Sequence, residues 1–576
     1  MKDFLLKVQK PGRYIGGEWN SVKKDWKEDY VKVALSYPDL YEIGMSNLGI
    51  FLIYKEINSL PFALAERIFP PAVDMEEELK KRNLPPLTLE SKKPLKDFDF
   101  IGFSLSSELL FTNMLNLLHL SGIPLLSEER ERPIVMAGGI CTLNPEPISK
   151  FVDLFIIGEG EEVIKEVLSV YKEVRGRKEE VLKELSRIEG VYVPSLGKRR
   201  VKKRFLRKLP PPPTDLIVPY IEVVHDRGVV EIQRGCTRGC RFCQAGIFYR
   251  PLRERSHEEV LRAIEGIGRD CGYSEVSLLS LSTSDYHGID RLVRLISSRY
   301  RNTLKISLPS LRIDTFSVEL MEALGGRGTI TFAPEAGSER LRKIINKPVG
   351  EDEMIEVIRR VSRGGWKGVK LYFMLGLPGE RDEDVEGIVR LVRNIRRKVG
   401  GIRIKLNISQ FIPKPHTPFQ WVRQASPGEI APKLQILRRG LKKTGVQLSW
   451  QDPRLSLLEG VFSRGDRRLG RVVRRAWELG CLFDGWREHF KWELWQKAFW
   501  DSDLDPNFYL RERGLEELLP WSHIDSGVSS AYLRRELERS RRGEPTPDCR
   551  SSCQACGLQR WDKTCRDKLR QSSEKA

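Results

Sequence analysis

Two kinds of apolar pattern alternate along this chain, and where each begins divides it into regions. In the first third, residues 31–38, 100–106, 134–139 and 154–157 are apolar runs of strand length. They are too short for buried helices and rich in β-branched and aromatic residues, so they read as strands covered on both faces of a parallel sheet. A second series begins at residue 228. Its strand candidates are 228–232, 274–281, 304–308, 329–333, 368–373 and 404–409, with helical periods between them, as in 257–267 and 353–362. Strands alternating with helices predict parallel βα units, and six such units form a partial barrel whose active site lies at the C-terminal strand ends. Beyond Trp450 the pattern turns helical and aromatic, above all over 485–500. The expected architecture is α/β: a doubly wound domain over residues 1–180, a linker over 181–220 containing the stiff Pro210 to Pro213 run, a partial (β/α)6 barrel over 221–450, and a mainly helical region over 451–576 that carries a cysteine-rich metal site.

Bulk properties narrow the class. At 576 residues the chain exceeds one core, and 40% hydrophobic with 31% charged residues is the balance of a soluble globular protein. No apolar run reaches the roughly 18 residues that a membrane span needs, and the apolar stretch after Met1 is too short for a secretory signal, so a cytoplasmic protein with no membrane partner is expected. The net charge of +19 favours an anionic partner. Basic runs at 197–204 and 464–475 could meet RNA or could be solvated faces, and neither implies DNA specificity. The aromatics of 485–500 most simply pack a helical core, although rings on a basic surface can also stack bases.

Seven of the ten cysteines fall into two sets, as metal ligands in a reducing compartment would. The central set is Cys236-x3-Cys240-x2-Cys243, directly after a strand. Three thiolates on one loop can hold three irons of a cubane and leave the fourth open, whereas a zinc ion would be one ligand short. The terminal set is Cys549-x3-Cys553-x2-Cys556, with Cys565 nine residues on. Four thiolates close a site, so zinc or a fully ligated auxiliary iron-sulfur cluster both suit it, and the short spacing tilts the reading toward zinc or another structural metal. Cys141, Cys271 and Cys481 stand apart as buried apolar residues.

The central triplet resembles the loop of the radical S-adenosylmethionine (SAM) enzymes. That resemblance implies a 4Fe-4S cluster on Cys236, Cys240 and Cys243, whose open iron chelates SAM and whose electron releases a 5'-deoxyadenosyl radical. The motifs behind the triplet follow in family order. Pro334-Glu335-Ala336-Gly337 is similar to the segment whose carboxylate binds the SAM ribose, which makes Glu335 the ribose candidate. Gly376-Leu377-Pro378-Gly379-Glu380 resembles the turn whose backbone passes the adenine, with Gly376 and Gly379 allowing close approach. Where the family usually shows Gly-Gly-Glu, this chain reads 280–286, and Ser282 and Asp285 are the candidates for the SAM amino group. Ser310 and Arg312 could meet the SAM carboxylate, and Phe242 stands where the family packs an aromatic ring on adenine, unless it is simply a core residue.

The N-terminal third resembles cobalamin-binding domains. Asp39-x-Tyr41-x-x-Gly44 has the spacing of the Asp-x-His-x-x-Gly loop with tyrosine in the histidine position, and Ser104 and the pair Gly138-Gly139 follow in the order of the remaining motifs. If cobalamin is bound, its lower face lacks a histidine from this loop; the other reading is that the fold persisted without the cofactor. End to end, with 12–18, 38–46, 144–147 and 411–421 added, the chain is similar to a family of cobalamin-domain radical SAM proteins. The resemblance implies reductive SAM cleavage, with cobalamin as a methyl carrier, to modify an unactivated carbon, and an electron donor of the flavodoxin or ferredoxin type. An RNA or ribonucleoprotein substrate is the first expectation and a small-molecule precursor or peptide the second. A non-catalytic, metal-stabilised RNA-binding or assembly protein is the rival from another class.

Overall fold

Strand β1 (Val31–Ser36) is buried along its whole length, as a strand inside a doubly covered parallel sheet must be. The computed structural model describes residues 2–300, 303–315, 320, 324, 328–562 and 565. β1 pairs in parallel with β2 (Ala63–Arg67) on one side and with β3 (Phe100–Ser104) on the other. β4 (Ile134–Gly138) and β5 (Leu154–Ile156) extend the parallel sheet, and β6 (Val191–Tyr192) closes it antiparallel, in the order β2-β1-β3-β4-β5-β6. The order reverses between β1 and β3, so the C-terminal strand ends there form a switch-point crevice. β6 lies in the stretch read from sequence as linker. β2 escaped the apolar pattern because it ends in Glu66 and Arg67, both buried.

After β7 (Val201–Lys202) comes the second series. β8 (Gly228–Glu231) runs into β9 (Gln233–Arg234), which pairs antiparallel with β10 (Arg253–Glu254). β11 (Glu275–Leu279) lies between β8 and β12 (Lys305–Ser307). β13 (Thr329–Glu335), β14 (Gly368–Leu375), β15 (Arg403–Gln410) and β16 (Gln447–Trp450) form a second parallel ladder. The six expected strands are all present, and β16 is a seventh, which corrects the six-unit expectation. Its residues are mostly exposed, so it left no apolar run to read. Helices between the strands start on local signals: Ser256 and Glu259 form a capping box for His257–Cys271, whose apolar face enters the barrel core.

The region beyond residue 451 is helical, as expected, but it does not form a core of its own. Helices Pro453–Arg464, Leu469–Glu478 and Trp492–Asp501 bury Phe462, Val472, Val473, Trp495 and Phe499 in the same apolar cluster as the N-terminal sheet. The aromatics Trp495 and Phe499 are therefore core residues. β17 (Ile524–Asp525) returns to pair in parallel with β7. The sheet and the barrel are clamped by buried ion pairs: Glu159 meets Arg253 at 2.7 Å, and Glu161 meets Arg234 at 2.7 Å. Removing one partner of such a pair strands a buried charge, so the clamp fixes the relative setting of the two sheets. Among the described residues no helix is long and apolar enough to cross a membrane, and all ten cysteines are free.

Candidate cluster and cofactor site

The central cysteines sit where β8 and β9 end. Gly235, at φ 96°, makes the turn into the loop, and a Cβ there would lie 2.6 Å from the Pro251 carbonyl oxygen, so only glycine fits. Cys236, Cys240 and Cys243 are all half-buried. The Cys243 sulfur accepts the Gly246 N–H at 3.3 Å, and Arg312 Nη1 approaches the Cys240 sulfur at 3.8 Å. Burial pushes the Cys236 thiol up to about 11 and the Cys243 thiol up to about 12. At neutral pH they are thiols, which a metal centre would deprotonate on binding. Among the described residues no three His, Cys, Asp or Glu side chains are gathered closely enough for a single metal ion. A cubane, which spreads its irons over its corners, takes ligands set further apart.

The loop is bolted down from far along the chain. Arg241, fully buried, donates to the carbonyls of Ile344 and Glu544 and pairs with Glu536 at 3.2 Å. Asn346 donates to the carbonyls of Arg238 and Gly239 and accepts the N–H of Thr546 at 2.7 Å. Phe242 packs, half-buried, on an apolar cluster containing Trp521, Tyr532 and Cys556.

Around this loop the structure brings together most of the barrel residues singled out from sequence. Asp285 accepts from the Ser282 hydroxyl at 2.5 Å and from Arg238 Nε at 2.9 Å. Burial opposes its charge, but Arg238 and Ser282 hold its carboxyl below the ordinary range. Arg312 pairs with Asp314 at 2.8 Å, lies 4.0 Å from Asp285, and takes its backbone direction from a bond to Ser284 Oγ at 2.9 Å. The Ser310 carbonyl accepts the Thr283 N–H at 2.7 Å, which joins the ends of β11 and β12. Glu335 ends β13 at a register shift, with a left-handed backbone at φ 68° and Lys347 at 3.1 Å. A non-glycine residue held in that region is strained, and such strain gathers at functional positions. Gly376 and Gly379 have φ of 81° and 73°, and Glu380 fixes their turn by accepting the Gly376 N–H at 2.7 Å.

A cavity of about 380 Å³ opens at the switch point of the N-terminal sheet. Ser104, Gly138 and Gly139 line one wall, and Glu231, Gln233 and Gly235 of the strand entering the cysteine loop line the other. A Cβ on Gly138 would meet nothing within 4 Å, so the strand end is a cradle that any larger residue would fill. Gln233, 2% exposed, keeps its Oε1 without a hydrogen-bond partner at this wall. Both features suit a large ligand bearing amide groups, as cobalamin does. Asn47, Arg234 and Tyr249 also line the cavity. None was singled out from sequence, since each becomes a wall residue only through packing of distant segments.

Asp39, Tyr41 and Gly44 lie elsewhere. Asp39 accepts from Trp486 Nε1 at 2.9 Å, Tyr41 is buried with its hydroxyl on Glu18, and Gly44 is packed so that a Cβ would strike the Phe69 ring at 2.1 Å. The loop therefore braces the domain. Of the terminal set, Cys556 is buried, Cys549 and Cys565 are half-buried, and Cys553 is exposed.

The two basic runs are largely paired internally. In the first, Lys198 meets Glu146, Lys202 meets Glu189, Arg204 meets Glu166, and Lys203 is buried with its ammonium on the carbonyls of Ile247 and Phe248. In the second, Arg467 meets Glu146, Arg468 meets Asp466, Arg475 meets Asp501, and Arg464 is buried on backbone carbonyls.

Comparison with known proteins places the cysteine loop inside a recognised region. Residues 230–392 match the radical SAM superfamily, and residues 49–194 match the N-terminal region of radical SAM proteins. An uncharacterized protein of Methanocaldococcus jannaschii is 29% identical over 450 residues, covering 77% of this chain and 90% of its own length. An uncharacterized methyltransferase of Pyrococcus horikoshii is 26% identical over 279 residues, 46% of this chain and 58% of that protein. In fold the chain is similar to the radical SAM methyltransferase TsrM of Kitasatospora setae, solved with cobalamin and a [4Fe-4S] cluster bound, at a TM-score of 0.53 and 14% identity over 78% of this chain and all of that one.

Proposed function

The chain belongs to the radical SAM superfamily, and from that membership we propose that it is a cobalamin-dependent enzyme that methylates or otherwise alkylates an unactivated carbon. The observation that carries the reading is the cavity at the switch point of the N-terminal sheet, whose far wall is the strand leading into Cys236. The fold likeness to TsrM supports it. Cys236, Cys240 and Cys243 would ligate the [4Fe-4S] cluster, Glu335 with the Gly376 and Gly379 turn would hold SAM, and Ser104, Gly138, Gly139 and Gln233 would hold the corrin. When bound, the cluster supplies the electron that cleaves SAM, and cobalamin supplies a metal that carries a methyl group.

The chain's own residues set the conditions for that chemistry. Arg312 puts a positive charge beside Cys240, where thiolate charge must be balanced. The strained backbone of Glu335 aims its carboxylate from the strand end, where ribose hydroxyls would donate to it. Gly138 leaves room for a broad ring, and Leu35, Ile53 and Ile140 keep the cavity apolar and exclude water. Tyr41 is turned inward onto Glu18, so this loop would offer no imidazole to a bound corrinoid. Electrons would come from a carrier of the flavodoxin or ferredoxin type.

The net charge of +19 supports an RNA or ribonucleoprotein substrate. The internal pairing of both basic runs favours the second reading, a small-molecule precursor or peptide. Salt dependence separates them: RNA binding that weakens steeply with salt supports phosphate contacts, and a flat response removes them.

Anaerobic reconstitution tests the whole. The full chain, supplied with iron, sulfide and excess corrinoid, should turn brown, retain corrinoid after desalting and release 5'-deoxyadenosine from SAM under strong reductant. Iron binding and SAM cleavage without corrinoid uptake would remove the cobalamin part, and zinc on the central trio would remove the enzyme reading.

A further inference from the structure

We propose that Cys549, Cys553, Cys556 and Cys565 hold a second [4Fe-4S] cluster that passes electrons to the central one. The proposal rests on the central trio holding a cluster, and it reverses the sequence preference for zinc.

The two cysteine sets share a chamber. A second cavity, of about 620 Å³, is lined by Cys236 of the central loop together with Cys549, Cys556 and Cys565. The segments are also bonded directly. The Cys549 N–H donates to the carbonyl of Thr237 at 3.2 Å, and the Thr237 hydroxyl donates to Asp548 at 2.8 Å. Arg238 reaches Asp548 at 3.2 Å, and Arg550 donates to the Asp285 carbonyl at 2.7 Å. The neighbour of one cluster ligand is thus hydrogen-bonded to a ligand of the other set.

The arrangement of the thiols argues for a cubane. Zinc draws four sulfurs to bonds of about 2.3 Å around one point. Cys549, Cys556 and Cys565 instead border a chamber of about 620 Å³. A four-iron cluster occupies such a space with its ligands at separate corners.

Arg250 supplies an independent observation. Its side chain lines the same chamber at 5% exposure, its Nε donates to the Gly246 carbonyl at 3.0 Å, and its Nη1 has no partner. Among the described residues no carboxylate forms an ion pair with it. Its Nη2 lies 3.8 Å from where a Cβ on Gly239 would stand, so the guanidinium is wedged between the central loop and the terminal set. A buried cation is costly unless an anion faces it. A cluster held by four thiolates is such an anion.

Four protein ligands leave no iron open to substrate, so the role left to this centre is electron transfer. Each event is a one-electron exchange: a flavodoxin- or ferredoxin-type carrier is oxidised as the terminal cluster goes from 2+ to 1+, and the terminal cluster returns to 2+ as the central one goes from 2+ to 1+. No bond or proton moves. Zinc, which has no redox chemistry, cannot do this.

The test uses anaerobically reconstituted full-length protein. The wild type should bind about eight irons per chain and show two reduced cluster signals in electron paramagnetic resonance, one of them perturbed by SAM. A Cys549→Ser/Cys556→Ser variant should lose about four irons and the signal that SAM does not perturb. Its rate of SAM cleavage driven by flavodoxin, flavodoxin reductase and NADPH, divided by its rate with dithionite, should fall at least about tenfold, since only the protein donor needs the relay. Arg250→Gln, which keeps all cysteines, should lower the midpoint potential of the signal that SAM does not perturb and leave the other in place. Wild-type protein with about four irons, a SAM-perturbed signal and one zinc would overturn the proposal while sparing the central cluster. An unmoved midpoint in Arg250→Gln, or an unchanged rate ratio in the cysteine variant, would also overturn it. Failure of the central reading looks different: no SAM-perturbed signal at all.

Discussion

The hydroxyl of Tyr41 donates to Glu18 at 2.9 Å, and Glu18 in turn pairs with Arg67 at 2.7 Å. Arg67 also meets Glu90 at 2.7 Å, and all four side chains are buried or nearly so. The residue standing where cobalamin-binding loops carry histidine therefore faces inward. Burial beside Glu18 pushes its phenol well above the ordinary range, so it stays a neutral donor.

Tyr41→Phe should lower unfolding stability by about 1.5–3 kcal/mol, the cost of one buried bond to a charged group, and leave corrinoid affinity unchanged. Glu18→Ala should cost about 3–5 kcal/mol, because Arg67 loses a buried counter-charge. Urea denaturation and corrinoid titration check both. A loss of corrinoid binding in Tyr41→Phe at unchanged stability would show that this side chain serves the cofactor after all.

Gly138→Val places a branched side chain in the open space at the end of β4 and suits a strand. Corrinoid affinity should fall at least about tenfold, which corresponds to about 1.4 kcal/mol. Iron content is the control for folding. Full corrinoid uptake in this variant would move the binding site away from the switch point.

Cys240→Ala removes one of the three proposed cluster ligands and the sulfur that Arg312 Nη1 approaches. Formation of 5'-deoxyadenosine under dithionite should fall at least about a hundredfold, because two thiolates do not hold the cubane. Chromatography of the quenched reaction reads this directly, and a variant that still cleaves SAM refutes the ligand assignment.

Asp484 gives a pH prediction. Burial raises its carboxyl to about 6, although Trp495 and Thr112 donate to it at 2.8 and 3.1 Å. Its folded value lies above the unfolded 3.8, so the stability it contributes is complete below that pH and is lost as pH rises through 6. Between about pH 3.5 and 7 the wild type should lose about 3 kcal/mol relative to Asp484→Asn. Denaturation of both proteins at several pH values measures the difference, and parallel curves would contradict it.

What the sequence disclosed was local. The cysteine loop, the Gly376 turn and the strand ends could be read because spacing and glycine placement act within a few residues. β2 and β16 could not, since Glu66 and Arg67 break one apolar run and the other strand is exposed. The direction of Tyr41 depends on Glu18 and Arg67, and the pairing of the basic runs depends on Glu146 and Asp525, all distant in sequence. The orphaned amide oxygen of Gln233 becomes visible only once two sheets face each other.

The hold of Asn346, Glu536 and Thr546 on the loop from Arg238 to Arg241 has a consequence for biosynthesis. As the polypeptide leaves the ribosome, the thiol loop emerges some three hundred residues ahead of the segment that fastens it. Until Glu536 and Thr546 have emerged, the loop lacks part of its fastening, so a cluster proposed to sit on it would find its seat incomplete before then.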